Sequence, residues 1–330
     1  MKKNIFLLSS VLAMCLASCS GVKHNISEYI LKLDYSGGDY RILQLTDVHL
    51  GDKDDLDKHF AFMDRTISDP KARPDLIVVT GDLFTFASQD TAKRFFKYLD
   101  DVGVPWTVTF GNHDEQCYFS VDWLTGYLNN YGSNCVFKDI QDDDVQGNAN
   151  FAINLMKDDK VFEQLIVMDS NRYYYGSYFG YDYFKQDQID WYKELIDYTT
   201  EQNGGEVVKS LMFYHIPLPE VNDAWEKAQT GEDGAVLKYG EKGEAPCNPE
   251  YNSGFFDVIV EKGSTTGMYF GHDHVNNFIV NYKGIDFAYG IKSTDRIYYG
   301  ESMLGGRTII LHDDHTVDYK NIYHTYEEVK

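Results

Sequence analysis

The segment YRILQLTDVHLG (residues 40–51) runs from a short apolar stretch directly into two residues of metal-ligand type. The apolar part predicts a buried strand over 40–45, and Asp47 and His49 follow it at once. Open α/β sheets bind their ligands just beyond the carboxyl ends of their strands. The segment therefore predicts a strand that carries ligand-binding side chains at its carboxyl end.

The same arrangement recurs four more times along the chain. Four further apolar stretches each end in a polar cluster: 76–80 in Gly81-Asp82, 106–110 in Gly111-Asn112-His113-Asp114, 210–214 in His215, and 267–270 in Gly271-His272-Asp273-His274. One such cluster alone is more often a turn, because Asp and Gly are turn residues. Five clusters at five corresponding strand ends predict a shared site instead.

The rest of the chain repeats a rhythm of apolar strand, polar loop and amphipathic helix, which predicts an α/β fold. A further strand is predicted at 165–168, and helices at 55–67, 90–99, 121–130, 186–199 and 253–261. After about residue 275 the pattern changes to strands in succession, at 278–282, 285–289, 308–311 and 316–319. The predicted architecture is a four-layer α/β/β/α sandwich of two mixed sheets flanked by helices.

The ordered clusters resemble the calcineurin-like metallophosphoesterases, whose pattern runs Asp-x-His, Gly-Asp, Gly-Asn-His-Asp or Glu, His, and Gly-His-x-His. The match spans residues 47–274. Other stretches are similar to the branch that contains a yeast cell-cycle phosphatase and small plant relatives of the purple acid phosphatases. These stretches are Asp169-Ser170, Gln188-x-x-Trp191-Tyr192, His215-Ile216-Pro217-Leu218-Pro219-Glu220 and Asn252-Ser253-Gly254.

The resemblance implies a site for two metal ions such as Mn, Fe or Zn, which suit imidazole and carboxylate ligands. By the family's pattern, Asp47, His49 and His274 hold one ion, Asn112, His215 and His272 hold the other, and Asp82 bridges them. Two such ions activate a shared water against phosphorus. The implied activity is hydrolysis of a phosphoester, first of all a phosphomonoester of a small molecule.

Two alternatives to a phosphomonoesterase remain open. One is a phosphodiesterase that acts on a cyclic nucleotide or a phospholipid head group, because the motifs do not separate monoesters from diesters. The other is a non-catalytic lipoprotein that keeps the fold as a binding module.

The resemblance also implies roles for two residues that are not ligands. His113 would meet the phosphate or donate a proton to the leaving oxygen, and an ordinary imidazole pKa of about 6.5 suits that task. Asp114 would orient the His113 ring. The sequence departs from the purple acid phosphatases at Thr85, where those enzymes carry a tyrosine ligand, so we predict a protein without their tyrosinate-to-iron colour.

Two other segments leave alternatives open. The tyrosine-rich stretch 172–183 either forms a wall of the substrate pocket or is a packed surface loop. His312-Asp313-Asp314-His315 has the composition of a metal cluster, but its place between two late strands favours a hairpin turn.

The amino terminus has the pattern of a lipoprotein signal. Lys2 and Lys3 precede an apolar run, which ends in Leu16-Ala17-Ser18-Cys19. We expect a signal peptide over 1–18, lipid on Cys19, a tether over 19–38 and a single domain over 39–330. With no Asp after Cys19, the outer membrane is the expected location; the alternative is a secreted protein cut nearby.

Charge and cysteine usage limit the partners. A formal net charge of −22 argues against a nucleic-acid binder, because such proteins neutralise phosphates with Lys and Arg.

Apart from Cys15 and Cys19, the cysteines are Cys117, Cys135 and Cys247. Their spacing does not match a cysteine metal site, and we expect structural thiols, with a Cys117–Cys135 disulfide as an alternative.

Overall fold

The computed structural model describes residues 24–177 and 179–328. Its strands are β1 (Ile30–Asp34), β2 (Tyr40–Leu45), β3 (Leu76–Thr80), β4 (Trp106–Thr109), β5 (Phe151–Lys157), β6 (Lys160–Val167), β7 (Tyr173–Tyr175), β8 (Phe179–Tyr181), β9 (Lys209–Phe213), β10 (Val236–Tyr239), β11 (Thr265–Phe270), β12 (Ile279–Tyr282), β13 (Ile285–Tyr289), β14 (Gly305–Leu311) and β15 (Val317–Tyr323). Its α-helices are α1 (Leu56–Ser68), α2 (Gln89–Asp101), α3 (Val121–Leu128), α4 (Gln186–Gln202), α5 (Glu220–Thr230) and α6 (Phe255–Lys262).

Two large mixed sheets form the centre of the molecule. The five-stranded sheet has the order β15-β14-β2-β3-β4, in which β2, β3 and β4 are parallel. The eight-stranded sheet has the order β1-β5-β6-β9-β11-β13-β12-β10, in which β6, β9, β11 and β13 are parallel. Strands β7 and β8 pair only with each other, as a separate hairpin.

Successive side chains of a strand face opposite sides of the sheet, so the core has two parts. One part lies between the two sheets, and the other lies between the larger sheet and the helices. On β9 and just beyond it, Leu211 and Phe213 belong to the hydrophobic cluster shared with the five-stranded sheet. Met212 and Tyr214 point the other way, into the cluster that contains Trp191 of α4. Because successive strand residues face opposite sides, one sheet packs on its partner with one face and on helices with the other. The predicted four-layer α/β/β/α sandwich is confirmed.

Helix α1 begins at a capping residue, and helix α2 buries one face against the five-stranded sheet. Asp55 precedes α1, and its carboxylate accepts a hydrogen bond of 3.2 Å from the backbone N–H of Lys58. On α2, Phe96 is fully buried and stacks on Trp106 of β4 at a ring separation of 5.8 Å. These contacts fix α2 against the sheet that carries the first motifs.

The predicted tether over 19–38 is too long, because the chain is already folded within it. Ile26 and Tyr29 are buried in a short 3-10 helix, and Tyr29 packs on Trp191 at 5.5 Å. Strand β1 then pairs in parallel with β5 at the edge of the larger sheet. A short, half-exposed edge strand lacks the long apolar run of a central strand, so β1 could not be recognised from its residues alone.

The cysteines within the described ranges are free thiols, so the alternative Cys117–Cys135 disulfide is absent. Burial raises the pKa of Cys117 and of Cys135 to about 12, as expected for unreactive structural thiols. In the described part of the chain no helix is both long enough and apolar enough to cross a bilayer.

Candidate metal centre

The five predicted clusters meet at one place between the two sheets. Asp47, Asp82 and Asn112 follow the parallel strands β2, β3 and β4, while His215 and His272 follow the parallel strands β9 and β11. All five side chains are buried. We call the set Asp47, His49, Asp82, Asn112, His215, His272 and His274 the metal centre.

One half of the metal centre contains Asp47, His49, Asp82 and His274, whose ligand atoms all lie within 4.8 Å of one another. His49 Nε2 lies 3.0 Å from His274 Nε2 and 3.5 Å from Asp82 Oδ2. His274 Nε2 lies 3.5 Å from Asp47 Oδ1. Two imidazole nitrogens and two carboxylates in such a small volume can hold one metal ion.

The other half contains Asp82, His215 and His272, again with ligand atoms within 4.8 Å of one another. His215 Nε2 lies 3.2 Å from Asp82 Oδ2. Asp82 thus belongs to both halves, which is the geometry that a bridging carboxylate requires. The backbone N–H of His113 donates to the second Asp82 oxygen, Oδ1, at 2.8 Å, and so fixes the carboxylate.

Unpartnered polar atoms show that a cation fits this place. Asn112 Oδ1 and His272 Nε2 are fully buried and have no hydrogen-bond partner among the described residues. A buried acceptor without a partner costs about 1–3 kcal/mol, so native proteins rarely leave one. A metal ion accepts electron pairs from such atoms and would remove that cost.

Hydrogen bonds behind the metal centre aim its imidazoles. His215 Nδ1 donates to the carbonyl of Thr80 at 2.8 Å, and His274 Nδ1 donates to the carbonyl of Tyr298 at 2.8 Å. With Nδ1 carrying the proton, the lone pair on Nε2 faces inward in the neutral ring.

The electrostatics favour the metal-binding forms of Asp47, Asp82 and His272. Burial opposes ionisation of Asp47 and Asp82, but the nearby histidines outweigh it and hold the pKa of both carboxyl groups below the usual range. Burial, together with the charge of His215, lowers the pKa of His272 to about 3. Ionised carboxylates and neutral imidazoles are the forms that bind metal ions. His215 differs, because burial opposes its charge but the charge of Asp82 outweighs burial and raises its pKa to about 10, so a metal ion would have to displace the His215 proton.

Strained backbone carries several of these side chains. Asp47, His49, Asp82 and His272 have φ values of 53°, 52°, 48° and 79°. Such left-handed conformations are uncommon outside glycine and cluster at functional sites, where the surrounding structure holds them.

Part of that support is a segment that the sequence analysis missed. Lys292 Nζ, which is buried, donates to the carbonyl of Asp47 at 2.8 Å, and Ser293 Oγ accepts from the backbone N–H of Thr46 at 3.0 Å. Thr294 Oγ1 donates to the carbonyl of Val48 at 2.7 Å. The three residues follow β13, about 245 positions from the motif they support, so no local pattern linked them to it.

The structure places His113 beside the metal centre, with its ring centroid 5.0 Å from that of His49. Its Nδ1 lies 2.8 Å from Gln116 Oε1. The Asp114 carboxylate instead accepts from the backbone N–H groups of Gly111 and Phe84, at 2.8 and 3.0 Å. The expected pairing of Asp114 with the His113 ring is therefore corrected: Gln116 orients the ring, and Asp114 holds the loop.

The structure also shows where the tyrosine-rich stretch and residues 312–315 lie. The tyrosine-rich stretch forms the hairpin of β7 and β8, and two of its rings contact the metal centre: Tyr173 Oη accepts from Asn112 Nδ2, and Tyr181 packs on His272. It therefore lies against the metal centre. Residues 312–315 instead form the turn between β14 and β15, where the His312 carbonyl accepts from the backbone N–H of His315 at 2.9 Å.

The molecule has two large sheets and two metal-ligand clusters that share one carboxylate. This combination is typical of the class of dinuclear metal-dependent hydrolases. Within that class, the chain belongs to the calcineurin-like phosphoesterase family, whose pattern it matches over residues 40–276. It is a phosphoester hydrolase with a site for two metal ions.

Individual relatives agree with this assignment. Probable inactive purple acid phosphatase 14 of Arabidopsis thaliana is 27% identical over 86% of this chain and 79% of that protein. Phosphatase DCR2 of Saccharomyces cerevisiae is 28% identical over 73% of this chain and 45% of that protein. A dimetal phosphatase from Danio rerio has the same fold, with a TM-score of 0.53 and 14% identity over 82% of this chain and 95% of that one.

Thr85 leads to a spectroscopic prediction. Its hydroxyl lies 2.9 Å from His49 Nδ1, on the side of the ring that faces away from the metal centre. Thr85 therefore supports the ligand His49, whereas the tyrosine at this position in the purple enzymes is itself a ligand. We expect the iron-loaded protein to lack an intense visible band from phenolate-to-iron charge transfer. The absorption spectrum of the iron-loaded protein tests this, and a visible maximum that disappears on replacing a tyrosine would contradict it.

Proposed function

We propose that this hydrolase is a phosphomonoesterase that acts on the terminal phosphoryl group of a small molecule. The observation that carries the proposal is the shared position of Asp82 between two clusters of buried ligand atoms. Asp47, His49 and His274 would hold one ion beside Asp82, and Asn112, His215 and His272 would hold the other. When bound, two such ions act as Lewis acids on a phosphoryl oxygen and lower the pKa of water.

The chain's own residues supply the remaining chemistry. His113 is half-buried, and its Nδ1 is occupied by Gln116, so its Nε2 is the nitrogen left for the substrate. Because Nδ1 keeps its proton for Gln116 Oε1, Nε2 carries a proton only in the imidazolium form of the ring. That form can donate a hydrogen bond to a phosphoryl oxygen, or give its Nε2 proton to the leaving oxygen and become neutral. We assign His113 that role, with Gln116 as the residue that sets the ring orientation and Asp114 as the support of the loop.

The wall formed by the hairpin supports a monoester. Tyr173 and Tyr181 contact Asn112 and His272 from one side, so the space over that half of the metal centre is bounded there. A terminal phosphoryl group enters end-on, whereas a diester must extend substituents on two sides of phosphorus. The name of the yeast relative, phosphatase DCR2, points the same way, whereas the Arabidopsis relative is named a probable inactive enzyme.

Hydrolysis of p-nitrophenyl phosphate and bis-p-nitrophenyl phosphate by the purified protein tests the proposal. The protein is first treated with a chelator, and Mn, Zn, Fe or Mg is then returned singly. We expect turnover that depends on metal and that is faster on the monoester. Faster turnover of the diester would assign a phosphodiesterase, and two bound ions without turnover of either ester would favour a binding module.

We also propose that the mature protein is an exported lipoprotein held at the outer membrane by lipid on Cys19, which lies outside the described residues. The support is the sequence Leu16-Ala17-Ser18-Cys19 and Ser20 after it. The chain is folded from about residue 26, so a tether of only a few residues would join the anchor to the domain. Mass spectrometry of the mature amino terminus tests this, and an unmodified Cys19 would refute it.

A further inference from the structure

The hairpin of β7 and β8, described over residues 173–177 and 179–181, contacts the metal centre; we call it the aromatic hairpin. Its two strands pair with each other and join neither large sheet. At its outer end, Tyr175 and Phe179 are 74% and 72% exposed. The outer end of the aromatic hairpin therefore makes few contacts, and its position depends on the residues at its base.

The base of the aromatic hairpin is tied to the body of the protein. The backbone N–H of Asp182 donates to the carbonyl of Arg172 at 3.0 Å and closes the loop. Arg172 donates to Asn148 Oδ1 at 2.6 Å, and Asn171 Nδ2 donates to the carbonyl of Tyr183 at 3.0 Å. These bonds hold the first residue of β7 in place.

Tyr173 is that residue, and its hydroxyl faces a ligand of the metal centre. Asn112 Nδ2 donates to Tyr173 Oη at 2.8 Å. The Tyr173 ring lies parallel to two neighbours, with centroids 5.9 Å from Phe179 and 5.7 Å from Tyr181. Stacking on these two rings of β8 limits how far the Tyr173 hydroxyl can move.

In the structure this hydrogen bond leaves the oxygen end of the Asn112 amide facing the metal centre, although a tyrosine hydroxyl can donate as well as accept. An amide has a donor end and an acceptor end, which exchange places when the group turns over. Because Tyr173 takes the NH₂ end, Oδ1 is left on the other side, buried and without a partner among the described residues. Turned over, the amide would present N–H groups to a cation, which cannot be a ligand.

The aromatic hairpin contacts a second ligand in the same half of the metal centre. The edge-to-face arrangement of Tyr181 and His272 has a centroid distance of 4.4 Å and an interplanar angle of 89°. The other half is supported from elsewhere, with Thr85 behind His49 and the Tyr298 carbonyl behind His274. The support from the aromatic hairpin thus falls on the ion assigned to Asn112 and His272.

We infer that Tyr173 is a positioning residue for the second metal ion: its hydroxyl holds the Asn112 amide with the oxygen toward that ion. The inference rests on the two-ion centre of the proposed function. It explains why a solvent-exposed hairpin is anchored so firmly at its base. It also makes the first ion, held by Asp47, His49 and His274, independent of Tyr173.

Binding of Mn²⁺ to the metal-free Tyr173→Phe protein, followed by equilibrium dialysis, tests the inference. The change removes one oxygen and keeps the stacked ring. Loss of a hydrogen-bonding partner behind a metal ligand weakens metal affinity about 10–100-fold, and we expect that loss for the second Mn²⁺. The first Mn²⁺ is expected to bind within about twofold of wild type, since its ligands are supported by other residues.

Tyr175→Phe is the matched control, because it removes the same atom from an exposed ring of the same strand. A double-mutant cycle adds a second criterion: in an Asn112→Ala background, Tyr173→Phe should cause no further loss. Unchanged affinity in Tyr173→Phe, equal weakening of both ions, or an equal effect of Tyr175→Phe would each overturn the inference. Wild-type protein that binds fewer than two Mn²⁺ would instead refute the two-ion centre itself.

Discussion

Replacing Asp82 with asparagine is expected to remove metal-restored turnover almost completely. Asp82 is the one carboxylate shared by both ligand clusters, with Oδ2 at 3.5 Å from His49 Nε2 and 3.2 Å from His215 Nε2. Asparagine keeps the shape but loses the negative charge that attracts both ions. Losing a partner behind a ligand already costs about 10–100-fold, so losing the bridging ligand should cost at least about 100-fold.

Asp286→Asn is the matched control for this change. Asp286 is also a buried carboxylate, but it pairs with Lys238 at 2.7 Å and is absent from both ligand clusters. It should retain two bound ions and wild-type turnover per folded molecule, whereas Asp82→Asn should retain the fold and lose turnover. Wild-type turnover in a folded Asp82→Asn protein would refute the assignment of Asp82 as a bridging ligand.

The two sheets and the ligand clusters could be predicted because their signals are local. Each ligand group follows an apolar strand directly, as Asp82 follows β3 and Asn112 follows β4. A buried parallel strand is apolar on both faces, so β3 appears as one uninterrupted run. Convergence of the strand ends then follows from the geometry of parallel strands, and the four-layer arrangement follows from the need to cover both faces of each sheet.

The support of the metal centre could not be predicted, because it depends on contacts between distant parts of the chain. Lys292 reaches the carbonyl of Asp47 only after the two sheets have packed. The orientation of His113 shows the same limit at short range. Both Asp114 and Gln116 are close in sequence, and only the 3-10 turn after His113 decides that Gln116 reaches the ring.

Short or polar elements were missed for a different reason. No helix or strand was predicted over 217–250, yet this region contains α5 and the edge strand β10. Strand β10 is only four residues long and all of them are exposed, so its Val-Leu-Lys-Tyr sequence shows no alternation of buried and exposed positions. The aromatic hairpin had a clear composition, but its contact with Asn112 needed the structure.

Replacing Gly81 with alanine is the second change expected to have a large effect. A Cβ at this position would lie 2.5 Å from Nδ1 and 2.6 Å from Cγ of His215, and Gly81 has a φ of +84°. The imidazole would have to move, and a shift of about 1 Å in a catalytic group can cost about 100-fold in rate. We expect loss of the ion assigned to His215 and a fall in turnover of about that size.

Gly103→Ala separates this clash from backbone strain. Gly103 has a similar φ of +75°, but a Cβ there would meet no atom within 4 Å. Left-handed strain alone should lower its free energy of unfolding by about 1–2 kcal/mol and leave metal binding unchanged. Thermal unfolding and Mn²⁺ dialysis on both variants make the comparison. If Gly81→Ala lost no more metal than Gly103→Ala, close packing of β3 against His215 would not be what positions that ligand.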